Sequence, residues 1–119
     1  MVKRMKQVRL TNEEISGLCL SLSMLLHAGV GAGDGLFLLA EDEERPVEKE
    51  VLTELAAMAD RGMTLSETFR ESGVFPSYVP GLVYAGEMTG RLEESLAALA
   101  AYYEDRMRME RQKIGRAHV

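Results

Sequence analysis

The side chains that most often act as nucleophiles, bases or metal ligands are scarce in this chain. It contains two histidines, His27 and His118, and one cysteine, Cys19. A catalytic nucleophile needs a neighbouring base, and no serine, cysteine or aspartate stands in a sequence context that suggests such a pair. Cys19 lies in an apolar run, which indicates a small core residue, and a single cysteine excludes an internal disulfide. We therefore expect no catalytic residues and no enzymatic activity.

Phosphate binding is a second chemistry to consider, because glycines recur at Gly29, Gly31, Gly33 and Gly35. This stretch follows a predicted helix instead of a strand, and it lacks the lysine of a Walker loop. It also contains Asp34, whose carboxylate would repel a phosphate. The sequence therefore predicts no nucleotide and no other cofactor.

Carboxylates could hold a divalent cation at two places. The acidic run at residues 41–44 is interpreted as a solvated helix end, because consecutive helical residues point in different directions and no calcium-loop spacing is present. The weaker candidates are Glu87, Glu93 and Glu94, which could approach one another around the start of the last predicted helix. Nothing in their spacing demands a metal ion, so no metal site is predicted.

Helices must position these residues, because apolar side chains recur at intervals of three and four and no alternating stretch is long enough for a strand. A capping box of Thr11 and Glu14 opens the first helix, and Gly29 follows its end. The second helix runs from about residue 32 to 44, and Pro46 marks the start of the third. The third helix is predicted to turn four residues inward: Val47, Val51, Leu55 and Met58.

The second half of the chain shows the same helical pattern. A capping box of Thr64 and Glu67 opens a short fourth helix that stops at Gly73. Two prolines set the start of a fifth helix, predicted to end near Gly86, and the last helix begins around Arg91. If it continues to residue 113, it is about 35 Å long. Short loops then predict an all-α, antiparallel six-helix bundle.

The segment between the last two helices is the most informative part of the sequence. Gly86 and Gly90 are interpreted as bracketing a tight turn that holds Glu87 between two helix ends. There Glu87 would accept backbone amides of the final helix or pair with Arg91, and direct contact with a partner is the alternative.

A short internal similarity relates two predicted helix ends. Residues 26–29, followed by Gly33, resemble residues 83–86, followed by Gly90. Two interpretations stay open: two related three-helix halves, or two helix hairpins that use the same turn chemistry.

Composition and charge limit the classes of partner that this chain could bind. Its 119 residues are 46% hydrophobic and 28% charged, which suits one globular domain. The net charge is −5, whereas residues 1–10 and 106–119 each carry +4, so residues 11–105 carry −13. An acidic body disfavours nucleic acid, while basic ends suit an anionic membrane surface. The alternative is that both ends are solvated tails.

No segment of this sequence is apolar over the roughly 20 residues that a membrane helix needs. The longest uninterrupted hydrophobic stretch covers residues 96–103. The basic start leads into polar residues, which is not the pattern of a signal peptide. The chain as given is therefore predicted to be water-soluble.

Five blocks of the sequence match a known family in its own order. They are Leu25–Val30, Gly62–Glu67, Val74–Pro76, Ala85–Leu96 and Leu99–Glu104. Through these blocks the chain resembles the cytoplasmic domain of the type II secretion system protein F family. Members of this family are inner-membrane platform proteins of type II secretion and type IV pilus assembly. The likeness covers residues 13–114, and its motif positions are Ala28, Gly29, Phe75, Pro76, Gly86, Glu87, Gly90, Arg91 and Leu92.

The resemblance implies a helical domain at residues 11–114 on the cytoplasmic face of the inner membrane. A basic leader at residues 1–10 would precede it, and residues 115–119 would be either foreign to the natural chain or the approach to a membrane helix. Such platforms carry two copies of the domain, self-associate, and link a cytoplasmic secretion or pilus ATPase and other platform subunits to pilus or pseudopilus assembly. They have no catalytic activity.

The basic run near the end of the chain falls where the family approaches its membrane helix, in agreement with the positive-inside tendency. Its members are Arg106, Arg108, Arg111, Lys113 and Arg116. Glycines replace the family's usual proline and alanine near residue 31, so we expect a frayed or displaced start of the second helix. The competing function is a free-standing helical adaptor without membrane attachment.

Overall fold

A computed structural model describes residues 8–117, and this part of the chain contains six α-helices and no strand. The predicted all-α, six-helix bundle is therefore confirmed. In chain order the helices are α1 Asn12–His27, α2 Ala32–Asp42, α3 Pro46–Asp60, α4 Leu65–Ser72, α5 Tyr78–Thr89 and α6 Leu92–Ala117.

Both predicted capping boxes are present. The Thr11 hydroxyl accepts a hydrogen bond from the Glu14 amide at 3.1 Å, and the Glu14 carboxylate accepts one from the Thr11 amide at 2.8 Å. Thr64 and Glu67 repeat this exchange at the start of α4, with distances of 3.2 and 3.0 Å. Each box pairs two amides that would otherwise lack a partner in the first helical turn.

Glycines in the left-handed region end four of the helices. Gly29 and Gly62 have φ angles of 91° and 93°, and Gly73 and Gly90 both have a φ of 70°. The prediction that α5 ends near Gly86 is wrong, because α5 continues for another turn to Thr89 and Gly90 ends it.

The internal similarity therefore does not align two equivalent turns. Gly29 follows the end of α1 in a left-handed conformation, whereas Gly86 lies inside α5. The two similar segments thus adopt different backbone conformations. They therefore do not support the interpretation of the domain as two related halves.

The core lies where the apolar faces of all six helices meet. Phe69 of α4 stacks on Phe75 of the following loop, with ring centroids 4.2 Å apart. Val51, Leu55 and Met58 of α3 are buried as predicted. Val47 is 46% exposed, so its predicted inward position is wrong: it lies in the first turn of α3, most of whose residues are exposed.

Long-range hydrogen bonds join α1 to α6 along most of the length of α1. The Ser16 hydroxyl donates to the Ala100 carbonyl at 2.7 Å, and the Ser23 hydroxyl donates to the Glu93 carbonyl at 3.1 Å. Near the start of α1, the Asn12 amide donates to Glu110 at 2.6 Å. These bonds satisfy polar side chains along an apolar contact and fix the register of the two helices.

Gly35 brings α2 close to α1. A Cβ at this position would lie 3.2 Å from Leu22 Cδ2 and 3.3 Å from Leu25 Cδ1, so glycine permits a tight contact there. The expectation of a frayed or displaced start of α2 is wrong: the helix begins at Ala32, and the Gly35 amide donates to the Gly31 carbonyl at 2.8 Å.

Part of the predicted leader packs on the bundle. The Leu10 amide donates to the Val74 carbonyl at 3.1 Å, and Val8 and Leu10 contact the core. The basic residues Lys3, Arg4 and Lys6 lie outside the described residues. The domain limits at residues 10 and 114 stay predictions.

We predict that Cys19 is unreactive while the domain is folded. Burial raises the pKa of the Cys19 thiol to about 12, so almost no nucleophilic thiolate exists at pH 8. A thiol reagent should then label the protein only as fast as it unfolds, and should label one thiol at once in denaturant. Fast labelling under native conditions would contradict the buried position.

The same raised pKa predicts a loss of stability in alkali. Only the unfolded chain can readily release the thiol proton above pH 9, so the free energy of unfolding should fall as the pH rises from about 9 toward 12. The variant Cys19→Ala should show a shallower alkaline decline in urea unfolding, although its absolute stability is lower. Equal slopes would contradict this prediction.

Candidate functional site

Five of the motif residues predicted from the sequence lie where α5 meets α6, next to the start of α4: Gly86, Glu87, Gly90, Arg91 and Leu92. Gly86 lies buried inside α5, where a Cβ would clash with the Ser95 hydroxyl, lie 2.9 Å from Ser95 Cβ and lie 3.1 Å from the Arg91 carbonyl oxygen. The Arg91 amide donates to the Gly86 carbonyl at 2.8 Å. The absence of a side chain at Gly86 therefore permits the close approach of α6 to α5, while its carbonyl accepts the hydrogen bond that closes the turn.

Glu87 connects this junction to α4. Its carboxylate accepts a hydrogen bond from the Ser66 amide at 3.0 Å and another from the Ser66 hydroxyl. Ser66 is buried in the first turn of α4, where the unpaired amides of a helix favour a negative charge. The predicted bonds from Glu87 to the final helix or to Arg91 are wrong, because α5 continues past Glu87 and directs it toward α4.

The other charged residues near the junction form separate pairs. Arg91 contacts Glu94 at 3.1 Å, and His27 Nδ1 lies 2.8 Å from the Glu93 carboxylate, which links the end of α1 to the start of α6. The weak metal candidates Glu87, Glu93 and Glu94 are thus directed to three different partners. Within residues 8–117, no group of three or more metal-ligating side chains is close enough to hold an ion.

The remaining motif residues hold helix ends and core contacts. Phe75 is buried against Phe69, and the Pro76 carbonyl accepts a hydrogen bond from the Val79 amide at 3.0 Å, which starts α5. Ala28 caps α1, and Leu92 is partly buried against the core. These positions therefore lie at helix ends and in the core, and their role as structural turn residues stays a prediction.

Two residues of the junction, Ser66 and Ser95, could not be identified by sequence reasoning. Ser66 is separated from Glu87 by 21 positions, and Ser95 acts only as the side chain that fills the space above Gly86. Both lie inside the family-like blocks, but no spacing rule marks a contact of this kind.

The basic residues of α6 are exposed, and only some of their positive charges are paired with a carboxylate. Arg108 pairs with Glu104 at 2.9 Å and Asp105 at 3.6 Å, while Arg111 lies 3.7 Å from Glu13 of α1. The Arg106 guanidinium lies 5.7 Å from the centre of the Tyr102 ring. Lys113 and Arg116 have no ion pair within the described residues, so uncompensated positive charge is concentrated in the last turns of α6.

Comparison with known proteins identifies the family of this chain. A protein-family model described as type II secretion system (T2SS), protein F matches residues 18–117. The chain belongs to this family. The match includes α2 to α6 and most of α1, and it contains the whole junction around Gly86.

Three characterised relatives have sequences similar to this chain. The type II secretion system protein F of Vibrio cholerae is 32% identical over 99 residues, which are 82% of this chain and 24% of that protein. The protein transport protein HofC homolog of Escherichia coli is 35% identical over 80 residues, 66% of this chain and 20% of the relative. The type IV pilus assembly protein PilC of Pseudomonas aeruginosa is 31% identical over 85 residues, 71% of this chain and 23% of PilC.

The chain thus spans at most about a quarter of each of these relatives. Among the described residues, no helix combines the length and the apolar character that crossing a bilayer requires.

We predict opposite effects for alanine at two glycines of α5. Gly86→Ala forces a methyl group against Ser95 and the Arg91 carbonyl, and should lower the free energy of unfolding by about 1–3 kcal/mol. Gly81→Ala, with open space around it on the same helix, should raise that free energy by up to about 1 kcal/mol. Urea unfolding measures both.

Removing the Ser95 side chain provides the control for this contact. Ser95→Gly in the Gly86→Ala background should restore part of the lost stability, since both side-chain clashes disappear and only the backbone contact remains. If Gly86→Ala is as stable as the native protein, the close approach of the two helices is wrong.

We predict that Glu87 stabilises the domain through Ser66. Glu87→Gln should lower the free energy of unfolding by about 1–2 kcal/mol, because the buried Ser66 groups lose a charged acceptor. Glu94→Gln, which removes an exposed pair with Arg91, should cost under about 0.5 kcal/mol. A double-mutant cycle of Glu87→Ala and Ser66→Ala should give a coupling energy above zero, and additive losses would contradict the contact.

Proposed function

We propose that this domain is the cytoplasmic part of an inner-membrane platform protein that serves type II secretion or type IV pilus assembly. The match of residues 18–117 to the protein F family is the observation that carries this proposal. Gly86 and Glu87, two of the motif residues, hold the α4–α5–α6 junction together through Ser95 and Ser66, which suits a domain that acts as a rigid scaffold. No observation favours the alternative of a free-standing adaptor.

The proposed role is non-enzymatic. The two side chains best suited to catalysis both have structural roles. Cys19 is buried in the core, where its pKa is raised, and His27 lies at a helix end beside Glu93. The domain would link a secretion or pilus ATPase to pilus or pseudopilus assembly through contacts with the ATPase and other platform subunits. Nucleic acid is not proposed as a ligand, because the body of the domain is strongly acidic.

The end of α6 is the part of the domain proposed to lie at the membrane. This helix has 26 residues and is about 39 Å long, and the domain itself measures 50 × 32 × 24 Å. Residues 106–116 are almost entirely exposed and carry the basic run. Each Lys or Arg near anionic headgroups contributes about 1 kcal/mol, so this end would face the inner surface of the bilayer.

Self-association is proposed for the outer face of the α5–α6 hairpin. The aromatic residues Tyr78 and Tyr102 contact each other there with ring centroids 5.1 Å apart, and both are about half exposed. Tyr84 and Met88 lie exposed on α5. Large apolar and aromatic side chains of this kind provide the anchors of protein interfaces.

We predict that the chain binds anionic vesicles through the last turns of α6. The double variant Lys113→Gln, Arg116→Gln should weaken binding to phosphatidylglycerol vesicles by roughly tenfold or more, since two basic groups near the headgroups are removed. The variant Arg61→Gln, Arg70→Gln removes the same charge elsewhere and should bind nearly as well as the native chain. Vesicle sedimentation measures both, and equal losses would contradict the proposed orientation.

We also predict binding to the cognate ATPase in the full-length protein. Membranes that carry the platform should retain the ATPase, and retention should weaken with added salt because the body of this domain carries −13 over residues 11–105. Deleting residues 11–114 should reduce retention while the rest of the protein still inserts. If the ATPase is retained equally without this segment, the linking role is wrong.

A further inference from the structure

A groove separates the first half of α1 from the corner where α2 meets α3. Its volume is about 550 Å³, within the range of cavities that hold ligands in proteins. The apolar part of its lining is formed by leucine and valine side chains from all three helices and the preceding loop: Leu10, Leu18, Leu39, Val51 and Leu52. Three of these are only partly buried, so the groove offers apolar surface to a ligand.

Carboxylates from the same three elements line the groove beside this apolar surface. They are Glu13, Glu14, Asp42, Glu43 and Glu48, against the single lining cation Arg45. Arg45 contacts Glu43 at 3.4 Å and Glu48 at 3.9 Å, and is thereby directed to the α2–α3 side. On the α1 side Glu13 lies 3.7 Å from Arg111, and Glu14 accepts the Thr11 amide. Five carboxylates and one arginine give the lining residues a net charge of −4, so the groove is acidic.

We propose that this groove binds a basic amphipathic peptide segment of a partner protein. Apolar side chains of the segment would contact the leucines, and its lysines or arginines would pair with the rim carboxylates. A phosphate-bearing ligand would be repelled by the same carboxylates, and a purely apolar ligand would leave them desolvated without a partner.

The dimensions of the groove fit a short helix. The lining residues of α1 extend from Glu13 to Ser21, which is about 12 Å along the helix axis, or roughly two turns. Two turns present two or three apolar side chains on one face, with basic side chains on both flanks. This inference deepens the proposed function and rests on it only for the identity of the partner.

Gly17 offers a way to test the groove without unfolding the domain. It lines the groove from the exposed side of α1, and a Cβ there would meet nothing within 4 Å. Gly17→Lys therefore introduces a long cation into the groove while improving helix propensity. Gly81→Lys on α5 has equally open surroundings, lies outside the groove and changes the net charge by the same amount.

The probe is a synthetic peptide of about twelve residues with leucines on one helical face and lysines beside them. Calorimetric titration of the full chain should show saturable binding that weakens with salt. Gly17→Lys should weaken it at least about tenfold, and Gly81→Lys should not. Asp42→Asn should weaken binding more than Glu71→Gln, which removes an exposed charge that does not line the groove.

Several results would overturn the proposal. They are equal binding by Gly17→Lys and the native chain, equal binding of a peptide with glutamates in place of lysines, or equal binding of a peptide with scrambled leucines. Binding that tightens about tenfold when residues 1–7 are deleted would assign the groove to the chain's own leader and overturn the external partner. Vesicle binding by α6 is measured separately, so failure of the peptide leaves the proposed membrane orientation unaffected.

Discussion

The close contact between Gly86 and Ser95 is the constraint on which the arrangement of the second half of the bundle depends. Gly86 has no side chain at this point, so the Ser95 side chain of α6 packs directly against the backbone of α5. The next residue, Glu87, is then positioned to accept both hydrogen bonds from Ser66. The absence of a side chain at Gly86 thus fixes how α4, α5 and α6 pack together. Because α6 also packs on α1, the position of α1 depends on the same contact.

The structure confirms the predictions that depend only on residues close together in the sequence. The capping boxes at Thr11 and Thr64 and the start of α3 at Pro46 involve residues at most a few positions apart, and all three are present. A glycine, however, can serve a left-handed turn or a close helix contact, and sequence does not distinguish the two uses. The sequence therefore predicts a helix end near Gly86, whereas the positive φ is found at Gly90.

Contacts between distant positions account for the other differences. Periodicity indicates that α3 has an apolar face but does not say how far the neighbouring helices extend, which is why Val47 is exposed. The bond between Glu87 and Ser66 depends on how α5 crosses α4, and this angle is a property of the folded bundle. The basic end of α6 needed no tertiary information, because a run of arginines on a helix that extends past the core is exposed in any arrangement.

Stiffness along α6 follows from its continuity. From Leu92 the helix carries the bundle contacts without a proline, and Gly115 is its single glycine. Glycine has the greatest backbone freedom and weakens a helix locally, and this one stands between Lys113 and Arg116. A bend near the end of α6 is therefore easier at Gly115 than in the preceding turns, which stay continuous with the bundle.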